Sequence, residues 1–287
     1  MKGKFKNFDQ VIMAKRSLLD VNFKELWQYR DLIYLFVKRD VISFYKQTIL
    51  GPLWFFLQPL FSSITYMIVF SFIAKVDTEG VPAILFYLCG TIFWGYYADT
   101  FKKTSTTFLD NSHIFGKVYF PRLAVPIALV LTNLVRFAIQ LALFALILTH
   151  YLYTGNVQIQ MEAIFIIPLC TILLIFYSFG TGIIISSLTT KYRDLRFLFE
   201  FGIQLFMYVT PILYPLSFAQ KQSESAASVL SYNPLTNIFE ALRYGFFGTG
   251  TVDYNQLVYL NGGFGIILLT IGIIIFNKTE KNFMDII

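Results

Sequence analysis

The sequence predicts an all-α integral membrane protein: six transmembrane helices, an N-terminal amphipathic helix at the membrane interface, and re-entrant helices between spans 5 and 6. Three observations carry this prediction. Of 287 residues, 56% are hydrophobic and only 14% charged, whereas a soluble domain carries roughly a quarter. The charges gather in short segments with long apolar runs between them. Six of those runs have about the 20 residues a helix needs to cross hydrocarbon.

The predicted spans are 53–74, 82–101, 123–149, 163–188, 199–217 and 257–277. The fifth is the weakest, because Pro211 and Pro215 interrupt it. Lysine and arginine set the orientation. Nineteen of the 23 fall in segments 1–52, 102–122 and 189–198 or after 277. The opposite loops hold only Lys75, Lys221 and Arg243, and Arg136 lies inside the third span. Both termini are therefore expected in the cytoplasm, with a basic tail over 1–21 and a second tail over 278–287. The first 30 residues lack an apolar h-region, so no cleavable signal peptide is expected.

Residues 22–52 form neither a span nor an ordinary loop. Leu26, Ile33, Val37 and Phe44 fall on one face of a helix, and Lys24, Asp31, Lys38 and Lys46 on the opposite one, with Arg39 beside them. Trp27, Tyr29, Tyr34 and Tyr45 add rings of the kind that settle among headgroups. This predicts a helix lying in the cytoplasmic interface. Gly51 then permits a sharp turn, and Pro52 suits the first turn of the span that follows. Basic and aromatic side chains are thereby held where an anionic headgroup would lie; Arg39, Tyr45, Lys46, Leu50 and Gly51 are the candidates.

Several motifs recur in order along the chain. Lys38-Arg39-Asp40 comes first, then Tyr45-Lys46, Leu50-Gly51, Trp54 and Gln58-Pro59. Next are Lys117-Val118-Tyr119-Phe120-Pro121-Arg122 with Pro126, and Lys191-Tyr192-Arg193-Asp194. Thr210-Pro211-Ile212-Leu213-Tyr214-Pro215, Asn233-Pro234-Leu235 and Arg243 complete the set. Taken jointly over about 22–250, this pattern resembles the type-2 family of ABC exporter permeases, in its polysaccharide-export branch. The resemblance implies a homodimer in the cytoplasmic (inner) membrane of a bacterium, bound to two copies of a separate nucleotide-binding ATPase subunit. It also implies export of a glycan on a polyprenyl-pyrophosphate lipid, with O-antigen as the leading cargo and capsule or teichoic acid precursors as alternatives. No nucleic acid partner is expected.

The chain carries no Gly-x-x-x-x-Gly-Lys-Ser/Thr phosphate loop. It is expected to be a transport subunit without cofactors of its own, with ATP and Mg on the partner. Coupling to that partner is assigned to the 102–122 loop, through Thr104, Leu109, Asp110, Phe120 and Arg122. A sliding glycan needs weak, replaceable contacts, which aromatic faces supply. The conduit candidates are Ser62, Tyr66 and Phe70 on the first span, with Phe206, Pro211 and Tyr214 on the fifth. Asn133, Arg136 and Gln140 make one polar stripe with no obvious acidic partner at its depth. Cys89 and Cys170 read as inert buried thiols, and no metal site is expected around His113 or His150.

Two other readings are distinguishable. An exporter of a small drug or lipid needs neither a wide aromatic channel nor the headgroup motif. A membrane transferase acting on polyprenyl phosphates should carry clustered acids on its cytoplasmic loops, where this chain has only Asp110 and Asp194 well apart.

Overall fold

The computed structural model describes residues 23–46, 49–155 and 157–286. The expected basic tail over 1–21 lies outside the described residues, as do the side chains of Phe23, Lys24, Tyr45 and residues 282–286. Among the described residues every regular element is helical.

Two helices open the chain, α1 (Phe23–Gln28) and α2 (Arg30–Lys46), and a 3-10 turn, Gly51–Leu53, follows. Gly51 adopts φ +51°, a left-handed conformation that costs a residue with a side chain more than glycine, and Pro52 starts the next helix. That helix is α3 (Trp54–Tyr66), prolonged by a π-helical segment, Met67–Ile73. Next come α4 (Ala83–Ser105), the short α5 (Thr107–Asp110) and α6 (Ser112–Phe115), and the long α7 (Ala124–Tyr153) and α8 (Ala163–Lys191). After α9 (Leu195–Val209) the chain breaks into α10 (Leu216–Gln222), α11 (Glu224–Ser231) and α12 (Pro234–Phe247). A π-helical segment, Gln256–Asn261, leads into α13 (Gly262–Ile286).

Four of these stretches are long and apolar enough to cross a membrane: Gly51–Ile73, Ala124–Tyr153, Ala163–Lys191 and Gln256–Lys281. Helix α4 has the length, at 23 residues, but Thr91, three tyrosines and Asp99 dilute its hydropathy. Helix α9 has only 15 residues, because Thr210 turns to extended backbone just before Pro211. The prolines thus end the expected fifth segment well before residue 217.

The dilution of α4 has a structural reason: sixteen of its 23 residues are buried. It packs against α8, α7 and α3, so protein surrounds it and its polar side chains find partners there. Against α8 the approach is close. A Cβ on Gly182 would sit 1.8 Å from Thr104 Oγ1, so only glycine fits at this crossing. Helix α12 is also enclosed, with eleven of 14 residues buried against α8 and α4. A second apolar cluster forms where α2, the 106–123 segment and α13 meet, around Phe36, Phe108, Phe115, Phe120 and Phe276. Phe108 stacks on Phe276 at 4.4 Å, and Phe120 meets Phe36 edge-on at 6.0 Å. Cys89 and Cys170 are both free and buried.

The α4–α8 crossing predicts that Gly182→Ala destabilises the fold by roughly 1–3 kcal/mol, the usual cost of overpacking. Thr104→Gly in the same chain should recover part of that loss, read as the melting temperature of the purified protein in detergent.

Candidate functional site

A cleft of about 490 Å³ opens between α3, α4, α7 and α9. Its polar wall includes Gln58 and Ser62 from α3, Asp99 and Lys102 from α4, Asn133, Arg136 and Gln140 from α7, and Gln204 from α9. Tyr66, Trp94, Met207 and Tyr208 line it toward the other end of α3 and α9. On α3 the amide of Gln58 and the hydroxyl of Ser62 precede the ring of Tyr66, and on α9 Gln204 stands between Phe201 and Tyr208.

Arg136 organises the polar end. Its Nη1 lies 3.1 Å from Asp99 Oδ2, and its guanidinium sits 4.7 Å from the Phe44 ring centroid and 5.3 Å from that of Phe55. The sequence offered no acid at the depth of Arg136, and this expectation is corrected: Asp99 is the partner. Arginine snorkels along its stem, and α4 continues past the expected limit to Ser105, which together close the gap in depth. Beside this pair, Lys103 Nζ donates to Asn133 Oδ1 at 2.9 Å and lies 4.5 Å from the Phe44 centroid. Asn133 Nδ2 donates in turn to Thr100 Oγ1 at 3.2 Å. Two cations thus share one ring of α2, and the ion pair ties α2, α3, α4 and α7 together.

The six conduit candidates are divided among three surroundings. Ser62 and Tyr66 line the cleft, and Tyr66 Oη donates to Met207 Sδ at 3.8 Å. Phe70 packs edge-on to Tyr66 at 6.3 Å, one turn further along, and Phe206 leans on Trp94 at 6.1 Å. Pro211 and Tyr214 belong to the irregular end of α9. There Arg243 Nη2 donates to the carbonyls of Pro211 (2.7 Å) and Ile212 (3.0 Å). Arg243 Nη1 pairs with Glu240 Oε1 at 2.7 Å, which also accepts from Leu216 N at 3.2 Å. Asn233 completes the brace, donating from Nδ2 to Thr210 Oγ1 at 3.0 Å while its Oδ1 caps α12. Arg243 is therefore an internal tie, and its charge is not an outer-loop charge.

The headgroup candidates run from the middle of α2, at Arg39, to the turn at Gly51. Arg39 is bound to Asp40, Nε and Nη2 each 2.8 Å from Oδ1, and lies over Phe36 at 5.1 Å. Lys46 and Leu50 are exposed, Gly51 forms the turn, and the side chain of Tyr45 lies outside the described residues. The coupling candidates differ in exposure. Thr104 is buried, donating to the Thr100 carbonyl at 2.6 Å, and Phe120 is buried against Phe36. Leu109 is half-buried and Asp110 exposed; Asp110 accepts from Thr106 Oγ1 at 2.6 Å and faces Arg196 Nη1 at 3.8 Å. Arg122 Nη1 donates to the Glu280 carbonyl at 2.7 Å. Val118 and Tyr119 project between these contacts, both exposed.

Glu240, Trp94 and Gln204 carry no site role in the sequence reading, and Asp99 reads there as lying nearer the cytoplasmic side than Arg136. Glu240 and Arg243 carry a readable signal, since opposite charges three residues apart in an apolar helix are neighbours on one face.

The sequence profile of the ABC-2 type transporter family matches residues 31–247. Two proteins of Klebsiella pneumoniae named O-antigen export system permease protein RfbA are 29% and 27% identical over 258 residues, 90% of this chain and 95% of theirs. A protein of the same name from Myxococcus xanthus is 25% identical over 262 residues, 91% of this chain and 97% of its own.

The enclosed brace at the end of α9 generates a stability prediction. Glu240→Ala strands a buried guanidinium and should cost about 3–5 kcal/mol. Replacing Glu240 and Arg243 together with leucine and methionine should recover only part of this, because the Pro211 and Ile212 carbonyls then lose their donor. Thermal unfolding of the three purified proteins compares them directly.

Proposed function

The chain belongs to the ABC-2 type transporter family, and from that premise we propose that it is the permease subunit of an ATP-driven exporter for a polysaccharide linked to a polyprenyl pyrophosphate, with O-antigen as the cargo. The observation that carries this reading is the cleft, whose wall interleaves amides, hydroxyls and charged groups with aromatic rings. A wall of amides, hydroxyls and rings suits a polymer that must slide, since each contact is weak enough to be exchanged for the next. The relatives' printed name, O-antigen export permease, supports the cargo.

In this reading α4 and α9 join the four apolar stretches to make six spans, with both termini in the cytoplasm of a bacterium. Helix α4 is shielded by its neighbours, and α9 is completed by the braced segment 210–215. Helices α10 to α12 enter the outer leaflet as re-entrant elements, and the buried surface of α12 supports this placement. Two copies of the chain face each other across α3 and α9, closing the open cleft into a conduit. Phe201 and Leu205 at the cleft, and Phe61 and Ile68 along α3 and its π-helical continuation, are exposed in the single chain and supply apolar surface for that contact or for lipid. Hydrolysis of ATP with Mg takes place on two copies of a separate subunit, which bears on Asp110 and the exposed 116–119 turn. The permease itself performs no chemistry. Its work is to lower the barrier for a hydrated chain to cross hydrocarbon, a barrier set by the loss of water from every hydroxyl. At the bend, α2 gathers the pyrophosphate headgroup near Lys46.

Two measurements test this. Cysteine at Ser62 or Tyr66 should react with a water-soluble thiol reagent in membranes, with modification blocking export, while cysteine at Phe70 or Phe206 reacts slowly. Cys89 and Cys170 are buried and give little background. Protection of Ser62→Cys and Tyr66→Cys in every nucleotide state would remove the cleft from the transport path. Separately, Lys46→Glu should abolish surface polysaccharide in a cell that relies on this chain while leaving membrane insertion intact, because like charge repels the pyrophosphate. Unchanged surface polysaccharide in that strain would sink the headgroup site at the bend.

A further inference from the structure

We infer that the cavity roofed by α1 and α2 and floored by α7 is a binding site for an anionic glycerophospholipid of the bilayer, with one acyl chain in the cavity and the headgroup at Arg30 and Lys38. From the proposed function it takes only that α2 lies at a membrane surface. It concerns the lipid that surrounds the protein and not the cargo.

The first observation is the position of the cavity. It measures about 750 Å³, within the roughly 300–1,000 Å³ of small-molecule sites. Its floor is Ile127, Leu131, Leu134, Val135 and Ala138, which recur at helical spacing on one face of α7. Asn133, Arg136 and Gln140, which line the polar wall of the cleft, fall on the opposite face of the same helix. The cavity therefore looks away from the cleft. From Ile127 to Ala138 the floor runs roughly 16 Å along the helix axis, about half of a hydrocarbon core roughly 30 Å thick. That is the depth of one leaflet, starting at the end of α7 that carries α2.

The walls are the second observation. Leu26, Ile33 and Val37 form the roof, and Arg30 is the one charged residue among those that line the cavity. Leu131, Val135 and Tyr34 are exposed, so the space is open along one side. Water finds no hydrogen bonds on such walls, whereas a hydrocarbon chain gains dispersion contacts with both helices. Helix α7 is itself long and apolar enough to cross a membrane, which puts acyl chains at the opening.

Charge at the rim selects the headgroup. Trp27, Arg30, Tyr34 and Lys38 succeed one another at intervals of three, four and four residues, one stripe along α1 and α2. The Arg30 guanidinium lies over the Trp27 ring at 5.8 Å. Its ion pair with Asp31 spans 3.9 Å between side chains that are 57% and 90% exposed, and such a pair contributes little. Lys38 is exposed, and among the described residues its ammonium makes no hydrogen bond or ion pair. Arg39, by contrast, is closed by Asp40 through two contacts of 2.8 Å. Two available cations, with rings that suit headgroup level between and beside them, complement a phosphodiester. A zwitterionic headgroup brings its own cation against them and gains less. A lipid seated this way fastens α2 to α7, so the firmness of that attachment follows the anionic lipid content of the membrane.

The test uses the full chain in nanodiscs of phosphatidylcholine, doped with phosphatidylglycerol brominated on one acyl chain, which quenches an indole it touches. Subtracting the signal of Trp27→Phe isolates Trp27. Brominated phosphatidylglycerol should quench Trp27 at a several-fold lower mole fraction than brominated phosphatidylcholine does. Arg30→Gln and Lys38→Gln should each raise the half-quenching fraction about fivefold, and Arg30→Lys should restore it. Ala138→Phe fills the cavity without touching the charges and should relieve the quenching; if that variant does not fold, Ala138→Leu takes its place. Equal quenching by the two brominated lipids, or no change in both glutamine variants, overturns the headgroup site. Full quenching with the cavity filled overturns the acyl chain beneath α2. Farnesyl diphosphate should not relieve the quenching, and relief at a concentration equal to that of the brominated lipid overturns a bilayer phospholipid as the occupant. Surface polysaccharide is scored separately in cells, so loss of the proposed export function leaves the Trp27 result standing, and the reverse.

Discussion

A permanent guanidinium part-way through an apolar helix needs compensation, and much of the inner half of this molecule follows from how that need is met. Arg136 is answered by one carboxylate, Asp99, and by the faces of Phe44 and Phe55. Each partner comes from a different helix, so one charge fixes α7 against α4, α3 and the interface helix α2 at once. An isolated charge at this depth would cost several kcal/mol. It also leaves the cleft polar on one wall, since the groups that solvate Arg136 remain at the surface of the opening. The stability of the fold and the character of the passage are therefore set by the same contact.

The break after α9 is governed by a second constraint, the demand that irregular backbone buried in an apolar surrounding find hydrogen bonds in protein. Segment 210–215 cannot be helical, with two prolines and Thr210 extended. Its carbonyls at Pro211 and Ile212 are met by Arg243, whose charge is in turn balanced by Glu240. The pair is almost completely enclosed, and Phe86 covers the guanidinium at 4.2 Å. The two ends thus use the same chemistry for different purposes: the inner ion pair borders an opening, and the outer one fastens a break.

How much of this could be read from the sequence depended on the range of the interaction. Helix positions, the bend at Gly51-Pro52 and the break at Pro211 are local, set by apolar run length and by two residue types with restricted backbones, and they were legible. The limits of α4 and α9 were less so: α4 keeps its helix beyond residue 101 because α8 and α7 enclose its polar end, and enclosure is not a local property. Asp99 lies nearer its end of the span than Arg136 does in sequence, and the pairing becomes possible because the arginine stem reaches along the helix axis. The Glu240–Arg243 pair is readable from its spacing in an apolar helix, but its hold on the Pro211 and Ile212 carbonyls is a long-range contact that only packing discloses. Aromatic residues were the hardest, since Tyr66 and Phe70 have nearly the same sequence context and yet only Tyr66 lines the cleft. Which way a ring faces is decided by Tyr87 and Met207 across the bundle, and composition carries no trace of that.

The unequal fastening of α9 has a mechanical consequence. Its far end is clamped by the Arg243 and Asn233 brace, while its near end is linked through Arg196 to Asp110 on the 106–123 segment at a looser 3.8 Å. A rigid rod of 15 residues is roughly 22 Å long, and a rod held at one end can only pivot. Any push delivered at Asp110 is then a torque, and the displacement it causes shrinks steadily toward Thr210. In the proposed exporter the cleft then widens as a wedge, more beside Phe201 and Gln204 than beside Tyr208.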